Sequence, residues 1–286
     1  MAETPGGEPD TGAAGDRAPA AVRLALGIEY DGAAFRGFQF QTNAPSVQGA
    51  LEAALSRIAA APIRVAAAGR TDAGVHATGQ VVGFESPVHR PLDAWVRGTN
   101  ALTPAAVKVR WAREVTSDFH ARYSAVARRY QYLFVEGDVA SPLLAGCATP
   151  VRTLDDDAMH RAAQALVGEH DFTSFRAAGC QSLSAHRCVH RIGVQRAGPF
   201  VVLDVTANAF LLHMVRNIAG ALRRVGMGER GEAWIAEALA GRDRTVLGPT
   251  AAPDGLYLVD VHYPGHQLPG GAPPALLRAL GNLDRF

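Results

Sequence analysis

The sequence predicts an α+β fold, best drawn as two lobes with a cleft between them. Strand-type and helix-type periodicities alternate through both halves of the 286-residue chain. The segment "HRIGVQRAGPFVVLDVTAN" reads as a hairpin turning at "RAGP", and hairpins favour sheets with antiparallel pairs over wholly parallel ones. The length suits one large domain or two modest ones. On these grounds residues 21–135 form an N-terminal lobe and 136–264 a C-terminal lobe, flanked by tails at 1–20 and 265–286.

The first tail, "MAETPGGEPDTGAAGDRAPA", has no large apolar residue and is expected to be disordered. "VRLALGIEY" reads as a strand, and "SVQGALEAALSRIAA" as a helix capped by Ser46, with Val47, Leu51, Ala54, Leu55 and Ile58 on one stripe. "IRVAAA" and "QVVGFES" read as strands around a glycine-bounded turn, the second beginning near Gln80. "PLDAWVRGTNAL" is a helix, followed by strands at "AVKVRWAREV" and "RRYQYLFV". Thr153, with Asp156 three residues on, is the expected cap of the helix in "TLDDDAMHRAAQALVGEHD". After the hairpin, whose second arm sets Val201, Leu203 and Val205 on one face, "AFLLHMVRNIAGALRRVGMG" is a long helix. Its core stripe is Leu211, Val215, Ile218 and Leu222. "EAWIAEALAG" is a shorter helix and "LYLVDVHY" the last strand. The end of the chain opens on a Pro/Gly linker, so its short "ALLRAL" helix is expected to be appended rather than part of the core.

Bulk composition excludes more than it selects. A net charge of +1 predicts neither a nucleic-acid nor a membrane partner, so any basic surface must be local. Of 28 basic residues only Lys108 is a lysine, and arginine's planar fork suits phosphate and carboxylate. Cys147, Cys180 and Cys188 form neither a zinc spacing nor a disulfide framework, which points to a reducing cytoplasm. No apolar run reaches membrane-spanning length, and the N-terminus lacks the order of a signal peptide.

The chemistry concentrates in "GRTDAGVHATGQ", Gly69 to Gln80. Asp72 is one carboxylate in a turn bounded by Gly69 and Gly74, projecting from the end of a sheet where substrate can reach it. The bland reading is an Asx-type turn closed by the carboxylate itself. A metal reading has only Asp72 and His76 to offer, too few ligands. A phosphate cradle needs more glycines and a following helix. Elsewhere, "FHARYSAVARRYQYLF" interleaves Arg122, Arg128 and Arg129 with Tyr123, Tyr130 and Tyr132, and "CQSLSAHRCVHR" adds Arg187 and Arg191. Arg216 lies about 100–140° off its helix's core stripe by the helical period. Each has a dull alternative: Tyr130, Tyr132 and Phe134 share a strand face that core would also want, and the arginines could be solvated. Repeated together on several loops, arginine and tyrosine lean towards nucleic acid.

In order along Val22 to Pro264, "YDGAAFRGFQFQ", "SVQGALEAAL", "AGRTDAGVHATGQVVGF", "FHARYSAVARRYQY", "DFTSFRAAGCQS", "NAFLLHMVRNIAGAL" and "GLYLVDVHYP" closely resemble the TruA family of tRNA pseudouridine synthases. The resemblance implies two similar α/β lobes sharing a continuous, mostly antiparallel sheet, with a positively charged central cleft. It implies isomerisation of uridine to pseudouridine at positions 38, 39 and 40 of the tRNA anticodon stem-loop, by a homodimer using no cofactor and no metal. Asp72 matches the catalytic aspartate and Arg216 its guanidinium partner. Tyr130 matches the tyrosine at the target base, and Arg70 the arginine that fills the space left when the base flips out. Phe119, His120, Ala121, Arg122 and Tyr123, with the loop Cys180, Gln181, Ser182, Leu183 and Ser184, match positions that contact tRNA. That loop departs from a common family form at Leu183-Ser184. Two other readings stay open: an RNA-binding module without catalysis, and a hydrolase using Asp72 on a nucleoside bond.

Overall fold

Alternation builds the centre of the molecule. Tyr130, Tyr132 and Phe134 all point one way from their strand and are almost wholly buried, as are Val201, Leu203 and Val205 on its neighbour. The computed structural model describes residues 21–280. The tail 1–20 lies outside the described residues.

In chain order the elements are β1 (Val22–Tyr30), α1 (Val47–Ala59), β2 (Ala66–Ala67), β3 (His76–Ser86), α2 (Leu92–Leu102), β4 (Val107–Glu114) and β5 (Ala127–Glu136). There follow β6 (Thr149–Val151), α3 (Asp156–Ala163), β7 (Gly168–Asp171), β8 (His186–Ala197), β9 (Phe200–Ala207), α4 (Met214–Gly226), α5 (Trp234–Gly241), β10 (Leu256–His262) and α6 (Ala275–Arg278). The strands make one sheet in the order β4-β1-β3-β10-β5-β9-β8-β7, with β2 on β3 and β6 on β5. Pairing is antiparallel except at β5–β6 and at β3–β10. The fold is therefore α+β, with a large, mostly antiparallel open sheet. The last strand of the chain joins the first half to the second through a short parallel seam, Tyr257 opposite His76 and Leu258 opposite Ala77.

Helices α1 to α5 cover one face, and α6 lies on the other. α1 and α2 pack together, α2 also lies on β4, and α3 lies on β8 and against α4. Trp95 of α2, 1% exposed, meets Phe84 edge-on at 5.3 Å. Each large apolar side chain buried this way contributes about 1.5–3 kcal/mol.

Tertiary contacts move several expected boundaries. β3 begins at His76, not near Gln80, because the parallel seam pairs its first residues. "IRVAAA" yields only the two-residue β2. The cap of α3 is Asp155, whose carboxylate accepts from the Ala158 N–H at 2.8 Å, not Thr153. Leu154 is held outside the helix by its N–H to Glu136 Oε1 at 2.7 Å, and the start falls two residues later than expected. Leu211 is buried but precedes α4, which begins at Met214. The C-terminal segment is not merely appended. Leu277 is 1% exposed in a second cluster with Leu133, Val135, Phe200, Val202, Tyr257 and Val259, on the sheet face away from α1 to α5. Gly271 sits so close to the Val259 carbonyl that a β-carbon would be 1.7 Å from it, and its N–H bonds Asp260 Oδ1 at 2.7 Å.

His76 pins the seam. Its Nδ1 accepts from the Gly32 N–H at 3.1 Å, its Nε2 faces the Asp254 carbonyl at 3.2 Å, and its ring stacks on Tyr257 at 4.6 Å. Burial lowers its pKa, outweighing the nearby Asp31 carboxylate, so the folded ring stays neutral where an unfolded one would charge. The unfolded value is about 6.5, so this contribution is complete above it and is lost as pH falls from there towards the depressed folded value. Urea denaturation should show stability dropping below about pH 6.5, with a slope of at most about 1.4 kcal/mol per pH unit from this one proton. In His76→Gln that part of the slope should vanish; an unchanged slope would clear His76 of the effect.

Candidate active site

The Asp72 loop is held from below and from the side. The Tyr30 hydroxyl is 2.7 Å from Thr71 Oγ1, and Gln80 Nε2 donates to the Gly69 carbonyl at 2.6 Å and to Tyr30 at 3.4 Å. Burial pushes the Tyr30 phenol up to about 12, so it remains a neutral link in this network. The Phe38 N–H bonds the Thr71 carbonyl at 3.0 Å. Just before it, Gly37 at φ 101° runs against the loop, with the position of a β-carbon 3.1 Å from the Thr71 carbonyl oxygen. A side chain there would be strained by its backbone and would press on the residues carrying Asp72. Gly74, at φ 80°, turns the chain into β3, and the Val75 N–H closes the turn on the Asp72 carbonyl at 3.1 Å.

The carboxylate does not close its own turn as an Asx motif would. It is met by the start of α4, from the other half of the chain. Arg216 Nη1 donates to Asp72 Oδ2 at 3.2 Å, and His213 Nε2 lies 3.3 Å from the same oxygen. Arg216 is itself aimed, its Nε bonding the Ala251 carbonyl at 2.8 Å. Next to it, buried Asn217 ties α4 down through the Phe175 carbonyl (2.8 Å) and Thr250 Oγ1 (2.7 Å). The Asp72 and Arg216 side chains are 28% and 14% exposed, a setting where a charge-assisted bond is stronger than on open surface.

Around this pair opens a cleft of about 710 Å³ lined by Arg70, Thr71, Asp72, Tyr130, Phe210, His213, Arg216 and Leu256 among others. That is the volume of a small-molecule or single-nucleotide site. The Tyr130 ring meets Phe210 edge-on at 5.0 Å. Burial, then the neighbouring Tyr30 phenol, raises the Tyr130 pKa far above its ordinary value. The phenol is therefore neutral, an apolar face with a donor tip. Arg70 is exposed at the mouth.

The expected RNA-contacting residues divide. His120, Arg122, Tyr123, Cys180, Gln181 and Ser182 line the cleft. Tyr123 is 74% exposed, its ring 4.4 Å from that of His120 and 5.5 Å below the Arg122 guanidinium. Phe119 and Ala121 do not line the cleft. Both are buried, Phe119 against Tyr263 at 5.2 Å, and the Ala121 carbonyl takes the Tyr263 hydroxyl at 2.5 Å. Their side chains anchor the loop and do not face the cleft. Leu183 and Ser184 also lie outside the cleft lining, Leu183 fully exposed at the loop tip. Three of the arginines in these stretches also make bonds within the protein, and Arg128 and Arg187 line the cleft. Arg128 bonds the carbonyls of Ala68, Arg122, Ala125 and Asn208. Arg129 pairs with buried Asp204, and Arg187 bonds Ser182 Oγ and the carbonyls of Ser184 and His186. His213 carried no role in the sequence reading. No periodicity marks it, because it stands outside α4 in the left-handed region.

A family model described as "tRNA pseudouridine synthase" matches residues 27–124 and 162–264. The chain belongs to the tRNA pseudouridine synthase family. The two matched blocks carry the two sides of the site, Asp72 in the first and His213 and Arg216 in the second, while Tyr130 falls between them. Curated relatives named tRNA pseudouridine synthase A include those of Shewanella frigidimarina, 53% identical over 87% of this chain and 96% of the relative. That of Salmonella typhimurium is 53% identical over 87% and 93%, and that of Pseudoalteromonas atlantica 54% over 85% and 93%. In this family member, no group of three or more metal-ligating side chains occurs among the described residues, and no helix there is long and apolar enough to cross a membrane.

Proposed function

We propose that the protein isomerises uridine to pseudouridine in the anticodon stem-loop of tRNA, at positions 38, 39 and 40, with Asp72 acting on a flipped-out nucleotide. The observation that carries this is the Asp72 carboxylate, fixed by Arg216 at the wall of a nucleotide-sized cleft. The reaction breaks the N1–C1′ bond, turns the base, and forms C5–C1′. The proton leaves C5, and N1 ends with one, so atoms and charge balance with no redox partner. A carboxylate fits the cation-like character that develops at C1′, by attack, by electrostatic stabilisation, or by taking a sugar proton. Neutral Tyr130 supplies a face for the base to stack on and a phenol donor. The His120–Tyr123–Arg122 stack borders the path of the RNA, and the working form is a homodimer in the cytoplasm.

The test is to incubate the purified protein, without added metal, with tRNA, map pseudouridine, and account for all uracil. Pseudouridine at 38–40 with no free uracil is expected. Free uracil would favour a hydrolase, and binding without conversion an RNA-binding module.

Arg70 is assigned to the flipped state, filling the gap left by the departing base. Flipping costs least where pairing is already weak. Arg70→Ala should therefore slow conversion about tenfold or more on a fully paired stem and much less on one with a mismatch at the target. Equal fractional losses on both stems would remove the flipping role.

A further inference from the structure

His213 is held in place for a purpose that helix formation does not supply. It immediately precedes α4 with φ 58° and ψ 9°, the left-handed region, and its side chain makes no capping bond to the helix. For a residue with a β-carbon this conformation is unfavourable, and glycine would take it freely. The imidazole is not core packing either, being 33% exposed on the cleft wall. What it does meet is Asp72, with Nε2 3.3 Å from Oδ2, the oxygen that Arg216 Nη1 takes at 3.2 Å. The two lie within ion-pair distance, and a carboxylate only accepts, so a ring N–H turned towards Oδ2 would donate to it.

We infer that His213 is a positioning residue for the isomerisation. With Arg216 it fixes one carboxylate oxygen of Asp72 and leaves the other, Oδ1, directed to the ribose. This rests on the reading of Asp72 as the group that acts on the sugar. The Arg216 donor and the imidazole edge packed beside the same oxygen together restrict the rotation of the carboxylate, which Arg216 alone leaves free about its own bond. A misoriented carboxylate lowers the rate of the chemical step without weakening the hold on the RNA, because small errors in approach geometry carry large kinetic penalties.

The experiment compares His213→Gly, His213→Gln and Asp72→Asn in three measurements: single-turnover pseudouridine formation on an anticodon stem-loop, stem-loop affinity, and thermal stability. Glycine relaxes the backbone, so His213→Gly should melt at or above the wild-type temperature. Its single-turnover rate should fall about tenfold or more, the penalty of a lost positioning contact. Affinity should stay within about twofold. Gln, whose amide N–H can reach towards the carboxylate, should recover part of the rate. A His213→Gly rate within about twofold of wild type, with Asp72→Asn inactive, would overturn the role of His213 alone. So would an unchanged rate with weakened affinity, which would make it an RNA contact. An active Asp72→Asn would instead remove the underlying reading of Asp72.

Discussion

Asp72→Asn is expected to slow isomerisation at least a thousandfold, roughly 4 kcal/mol of barrier, while stem-loop affinity changes by less than about tenfold, or roughly 1.4 kcal/mol. The amide keeps the size and shape of the carboxylate and can still turn an oxygen to Arg216. It cannot attack C1′ as an anion, carry the charge that answers a developing cation, or accept a proton at neutral pH. The side chain is 28% exposed and the loop is held by Tyr30, Thr71, Gln80 and Phe38, so the fold should be indifferent to the change. Release of tritium from a uridine labelled at C5 reads the reaction directly, since that hydrogen must leave when C5 joins C1′. Turnover near the wild-type rate would end the assignment of Asp72.

Local structure was legible because it rests on local periodicity. Val22–Tyr30 came out as a strand with its expected ends, and Ser46 caps α1 by accepting from the Gly49 N–H at 3.2 Å. Errors arose where distant contacts overrule local preference. Glu136 holds Leu154 out of α3, and β10 draws His76 into β3. The C-terminal segment was misread because Pro and Gly usually mark linkers. Here glycine serves the opposite end, letting residues 271–272 lie directly on the sheet, where Thr78 Oγ1 reaches the Ala272 carbonyl at 2.5 Å.

The site was legible in parts and illegible as an assembly. That one carboxylate stood out at the end of a strand followed from the glycines around it. That it meets α4 depends on a seam of two residue pairs joining the start of β3 to β10, which no periodicity encodes; the Asp72–Arg216 pair was expected only through the resemblance. The bonds the arginines make inside the protein were hidden for a related reason. A sequence shows cations but not carbonyls, and Arg128 is surrounded by backbone carbonyls from four residues. Its guanidinium organises the cleft wall, whereas Arg70 and Arg122 remain exposed at the surface.

Arg216→Ala is expected to lower the single-turnover rate about a hundredfold or more, and Arg216→Lys to restore only part of it. Arg216 works in two directions at once, Nε to the Ala251 carbonyl and Nη1 to Asp72. The first bond fixes the plane of the fork and the second aims the carboxylate. Alanine removes both, leaving a largely buried carboxylate with His213 alone beside it. A catalytic group misplaced by about 1 Å loses about a hundredfold in rate, roughly 3 kcal/mol of barrier. Lysine returns the charge, but a single ammonium cannot hold the Ala251 carbonyl and the carboxylate in the same geometry. Its rate should lie between those of alanine and arginine. Folding must be followed in parallel, because α4 also packs through Val215, Ile218 and Leu222, none of which the substitution touches. If Arg216→Lys matches wild type, charge alone suffices and the fork is irrelevant. If Arg216→Ala stays within about tenfold, the 3.2 Å pair is not what readies Asp72 for the sugar.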